Sequence, residues 1–323
     1  PIGNRRREHR FPVMSGILPR TNVTTYVQLA IGMAMFGSAA PISKIVTEAM
    51  PVFIGSGLRV ALGAAFLLPF AINDFGALTR FGLRDWLMLG AIALFGMFGF
   101  SVLMLSGMKI VSGVSGAVVM STTPAVTALA SIVFLRETAS WRKVGAIVLA
   151  GAGVLVLQMG LGGDGAISGP AALDLWLGAA LVFGAVCCEA VYTLMGKQLF
   201  AKIDPVAVAC LACLLALPLF VPFAAWQWHD FHPTAVRWPD WVAVVWYGVC
   251  TLALGSWLWY SGLAKAEGSV AAGFMGVMPT SALVLSYFLL GESFAWTHLV
   301  GFATVFAGVL LISWEHARMS TET

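Results

Sequence analysis

From its N-terminus the chain runs as long apolar stretches separated by short breaks of charge, glycine or proline. A helix that crosses about 30 Å of hydrocarbon needs roughly 20 mainly apolar residues. Ten stretches answer to that description: 26–48, 52–73, 86–105, 112–135 and 144–159 in the first half, then 175–195, 206–226, 241–262, 269–290 and 299–314. A barrel would also satisfy its backbone internally, but it needs segments of about 10 residues that alternate apolar and polar. The stretch 144–159 is apolar on every face, which selects helices. The pattern therefore predicts an all-α integral membrane protein with ten transmembrane helices.

Composition agrees and excludes the soluble classes. Of 323 residues, 59% are hydrophobic and 10% charged, with a mean hydropathy of +0.90. A soluble domain carries about 25% charged residues, and no single core of this size hides such an apolar surplus. Nucleic-acid binding is not expected. The net charge of +3 matters less than its placement. With the N-terminus in the cytoplasm, fourteen Lys and Arg fall on inner segments, whereas Lys109 and Arg237 alone fall on outer ones and Lys44 and Arg59 lie within spans. The positive-inside rule then places both termini in the cytoplasm. The first 25 residues are basic and lack an apolar period, so they read as an arm at the lipid surface. The first span is too long for a signal-peptide core and has no clear cleavage site, so it should persist as a helix; Met14 is one candidate start residue. Cys187, Cys188, Cys210, Cys213 and Cys250 all lie in apolar stretches and read as small packing residues, with no metal site.

Self-similarity adds an architecture. At an offset of 155 residues, Asp85-Trp86 falls on Asp240-Trp241 and Ser106-Gly107 on Ser261-Gly262. The same register places Gly113 on Gly268, Pro124 on Pro279, Glu137 on Glu292 and Gly153 on Gly308. The expected domains are the arm 1–25, a first five-helix repeat over 26–160, a second over 172–315 and a cytoplasmic tail 316–323. An odd number of helices inserts the second copy upside down, the usual construction of alternating-access transporters.

The segments that carry a family resemblance are Ser121 to Ala130 (STTPAVTALA), Leu135-Arg-Glu, and Gly145 to Leu157, with Val277 to Leu283 (VMPTSAL) and Leu290-Gly-Glu in the second copy. Together with Gly57-Leu-Arg59 they resemble the drug/metabolite transporter superfamily in its EamA-type branch, over about residues 26–315. The resemblance implies a ten-helix basket in which helices 1, 3, 4, 6, 8 and 9 line a central cavity while 5 and 10 stay peripheral. It also implies export of amino acids or related metabolites, nearest in character to the bacterial aromatic amino acid exporters. Glu189 departs from the pattern, which favours an apolar or aromatic residue at that place in the sixth helix.

Ionisable side chains at membrane depth are functional candidates by default. Arg59 could bind a substrate carboxylate bidentately, or serve structurally against backbone carbonyls. Lys44 and Lys197 sit near opposite mouths as snorkelling anchors or carboxylate attractors. Glu189, the one acid well inside a span, could take a proton, recognise a substrate amine or pair with a base. Pro124 and Pro279 should kink helices 4 and 9 at matching places and expose carbonyls, flanked by Thr122, Thr123, Thr280 and Ser281. Eight tryptophans at span ends form interfacial belts. Deeper, Phe98, Phe100, Tyr192, Trp257, Trp259 and Tyr260, with Met104, Met120, Met275 and Met278, could make an adaptable apolar pocket.

No histidine is expected within a span, no paired acids suit catalysis, and no phosphate-binding loop is present, so neither an enzyme nor an ATP-driven pump is expected. No cofactor is called for. A passive channel or facilitator is the alternative of another class, though no ring of like charges or filter-like repeat supports it. The expected partners are the lipid bilayer and a small-molecule substrate, an amino acid or related metabolite, with efflux of apolar drugs the alternative; a monomer is left open.

Overall fold

The computed structural model describes residues 23–137, 139–160, 170–200, 202–266 and 268–321. The basic arm, up to residue 22, and the end of the tail lie outside those residues.

The fold is all-α. Helix α1 covers Val23–Ala49, α2 Val52–Arg80, α3 Leu83–Met108 and α4 Gly113–Leu135; α5 covers Trp141–Gly160. In the second repeat α6 covers Pro170–Leu199, α7 Pro205–Asp230 and α8 Trp238–Leu263. Helix α9 comes in two pieces, Gly268–Phe274 and Val277–Leu290, and α10 covers Trp296–Thr321. Among the described residues, eight of these helices are long and apolar enough to cross a membrane, α5 and the interrupted α9 standing outside that count. The ten form two inverted five-helix repeats. In hydrocarbon each backbone polar group needs an internal partner, which is why apolar runs of this length become helices. Starts are fixed locally: Ser112 Oγ accepts from the Ser115 amide at 3.1 Å, and Asp204 Oδ1 accepts from the Val206 amide at 2.8 Å.

The repeats share irregularities as well as spans. Helix α3 is π-helical over Ile92–Gly99 and α8 over Trp246–Leu254, which match at the 155-residue offset but for Trp246. Helix α4 breaks at Ser121–Thr122, before Pro124, and α9 breaks at Met275–Gly276, before Pro279. Each proline lacks the amide that would reach back one turn. In α4 the carbonyls of Ala117, Val119 and Met120 accept hydroxyls of Ser121, Thr122 and Thr123 at 2.7, 2.7 and 2.8 Å. Both helices end on a left-handed residue, Arg136 at φ 53° and Gly291 at φ 63°, again repeat mates.

Packing pairs α5 with α10, α2 with α7, α3 with α6, and α1 with α8 and α9. The α5–α10 seam is built on glycine: a Cβ on Gly153 would lie 2.7 Å from the Gly301 carbonyl, and one on Gly308 3.0 Å from the Ala146 carbonyl. Such small-residue contacts let membrane helices approach backbone to backbone.

Candidate functional site

Between the repeats lies a cavity of about 1720 Å³. It runs from mid-depth, at Arg59, Met97 and Phe100, to a mouth edged by Glu137, Lys197, Lys202 and Lys265. Both π-helical stretches line it, through Gly96 and Met97 of α3 and Thr251 and Leu252 of α8. A π-turn widens the helix and turns side chains off the regular face, a common device at functional sites.

Arg59 on α2 is the cation at depth. It is buried, and its Nη1 donates to Ser101 Oγ at 2.6 Å. Its guanidinium carbon lies 5.1 Å from the Phe100 ring centroid and 4.7 Å from that of Tyr247, within cation–π range. The Tyr247 side reaches it because α2 and α8 meet at Gly248, where a Cβ would lie 2.7 Å from the Arg59 carbonyl. Arg59 Nε and Tyr247 Oη are buried without a partner. A buried cation with spare donors and no ion pair among the described residues is open to an anionic ligand group.

Glu189 on α6 is the carboxylate at depth. Thr123 Oγ1, from the break in α4, donates to its Oε2 at 3.1 Å. Arg59, Tyr192 and Tyr260 line the same cavity as Glu189. Met120, Met275, Met278, Phe36 and Trp257 supply apolar wall.

At the mouth Glu137, in the turn after α4, accepts from Lys143 Nζ at 2.9 Å and from Ser131 Oγ at 3.0 Å. The Lys143 hydrogen bond holds its carboxyl below the ordinary value of 4.5. Lys202 pairs with Asp85 at 2.6 Å and Arg142 with Glu315 at 2.6 Å. The opposite face is closed. There Glu292 accepts from the amides of Gly113 and Val114 at the start of α4, the latter at 2.9 Å. Beside it is a recess of about 460 Å³ that includes Lys44, Ser112 and His298.

Of the residues expected at the site, the structure brings Arg59, Met120, Pro124, Glu189, Tyr192, Trp257, Tyr260 and Met278 to the cavity wall. Five lie elsewhere. Lys44 is on the closed face, donating to the Met108 carbonyl at 2.9 Å and 3.4 Å from Glu48. Phe98 turns toward α7, its ring 4.8 Å from that of Phe220. Thr122 is buried with its hydroxyl on the Val119 carbonyl. Pro279 is buried off the cavity, and Thr280 is exposed on the outer surface, donating to the Gly276 carbonyl at 2.8 Å. Helix α2 lines the cavity through Arg59 and Phe70, and α10 reaches its mouth through Ile312 and Glu315, against the expected six-helix lining. His298, expected outside the spans, is buried in the first turn of α10, 3.1 Å from Tyr287 Oη. Tyr247 and Ser101, the partners of Arg59, carry no sequence signal beyond lying on apolar helices. Among the described residues no cluster of His, Cys, Asp and Glu could hold a metal ion.

A profile of the EamA-like transporter family matches residues 24–159 and 176–314. The uncharacterized transporter YetK of Bacillus subtilis (strain 168) is 34% identical over 92% of this chain and 88% of its own. A probable terminal-alkyne amino-acid exporter of Streptantibioticus cattleyicolor is 25% identical over 88% of this chain and 92% of its own. A solved crystal structure, 18% identical, superposes with a TM-score of 0.61 over 92% of this chain and 98% of that one, a likeness of fold.

Proposed function

This chain belongs to the EamA-like transporter family, and from that premise we propose that it is a secondary active exporter of small organic metabolites, amino acids first and aromatic ones favoured, working by alternating access across a bacterial inner membrane. The observation that carries the reading is one guanidinium, Arg59, and one carboxylate, Glu189, in the deep part of one cavity, each hydrogen-bonded to a neutral hydroxyl rather than to the other. A zwitterion complements that pair: its carboxylate meets Arg59 and its ammonium meets Glu189. The methionine and aromatic wall accepts an apolar or planar side chain. The name of the Streptantibioticus relative supports the substrate class. The repeats 26–160 and 172–315 are the two moving halves, and the positive-inside count makes the open mouth cytoplasmic.

Counterflow in proteoliposomes with labelled Phe, Trp and Thr and a cationic dye tests this. Exchange of the amino acids, Phe and Trp ahead of Thr, is expected. The methionine-rich wall supports a second reading, efflux of apolar drugs. Movement of the dye alone establishes that second reading and removes the first.

A further inference from the structure

We propose that Glu137 and Glu292 are alternating latches: Glu292 holds the closed face by capping the amides of Gly113 and Val114, and Glu137 takes the same role on Gly268 and Ser269 when the other face closes.

The observed half is on the closed face. The Glu292 carboxylate takes both amide donors at the start of α4. These charge-assisted bonds also face the positive end of the helix dipole. The approach needs Gly113, since a Cβ there would collide with Leu290 and stand 3.0 Å from Glu292 Oε1. The first piece of α4, Gly113–Met120, packs on the second piece of α9 across this face.

At an offset of 155, each part of that assembly has a mate on the open face: Gly113 and Gly268, Val114 and Ser269, Leu290 and Leu135, Gly291 and Arg136, Glu292 and Glu137. The open-face mates are not engaged in the same way. Leu135 is 42% exposed, and the Glu137 carboxylate rests on Lys143 and Ser131. The left-handed residue before each Glu turns both carboxylates off their helix ends alike. The cavity runs along the second piece of α4, past Thr127, Ala128 and Ser131, on the face where the first piece of α9 would close. Inverted repeats that exchange conformations must exchange these contacts. Glu137 would therefore leave Lys143 for the amides of α9 as Glu292 releases those of α4.

Hydrogen–deuterium exchange on the purified protein reads the latches without any substrate. Glu292→Ala should speed exchange at Gly113 and Val114 and, by shifting the population about tenfold toward the opposite conformation, slow it at Gly268 and Ser269. Adding Glu137→Ala should return the Gly268 and Ser269 amides toward wild-type exchange, a restoration that simple destabilisation does not give. If Glu292→Ala does not fold, Gly113→Leu should produce the same shift by wedging Leu290 away, and Glu137→Ala should again reverse it. Exchange altered only at Gly113 and Val114, or faster at both faces in the double variant, would overturn the proposal.

Discussion

At the scale of single residues, charge at depth is organised by neutral partners. Arg59 is held by Ser101 and two rings, leaving donors for a ligand, so its planar fork matters more than its charge. Arg59→Lys should raise the KM for amino acid counterflow about tenfold and leave dye movement nearly unchanged; equal losses for both solutes would refute a carboxylate role. Arg136 adopts a conformation that costs an L-residue about 1–2 kcal/mol. Arg136→Gly should therefore stabilise the protein by about 1 kcal/mol, read as a higher Tm in detergent. The pH response of Glu137 has a definite sign. Its folded value lies below 4.5, so its contribution is complete above that value and disappears as pH falls through the lowered one. The Tm difference between the wild type and Glu137→Gln should be present at pH 7 and vanish in acid. A difference that persists at low pH would assign it to packing instead.

At the scale of helices, the spans were legible because hydrocarbon thickness sets their length. Which face of each helix turns inward was not. A helix apolar on all sides gives no stripe to read, so Phe98 and Met97 are equivalent in sequence although only Met97 reaches the cavity. The π-turns worsen this by offsetting the face partway along α3 and α8. Thr122, Thr123 and Thr280 show the same limit: all three bond backbone carbonyls, and Thr123 alone among them also reaches Glu189. Charge was more legible, since Arg59 and Glu189 are rare at depth and both reach the cavity. The seam between α5 and α10 gives a test at this scale. Gly153→Val should destabilise by about 1–3 kcal/mol through overpacking against Gly301, seen as a lower Tm. An unchanged Tm would show that the seam yields without cost.

At the scale of the molecule, the repeat was readable because its marks are residues that composition does not scatter, an Asp-Trp pair, a proline and a glutamate in one register. The open and closed faces were not readable, since one sequence serves both conformations. Orientation remains a matter of charge: a reporter active only in the periplasm and fused after Thr323 should stay silent, and activity would reverse the assignment. The glycine seam carries a last consequence. Helix α5 ends the first repeat and α10 ends the second, so their contact is a clasp between halves that owes nothing to the peptide connecting them. Severed between α5 and α6 and made as two polypeptides, the halves should find one another in the bilayer and reassemble.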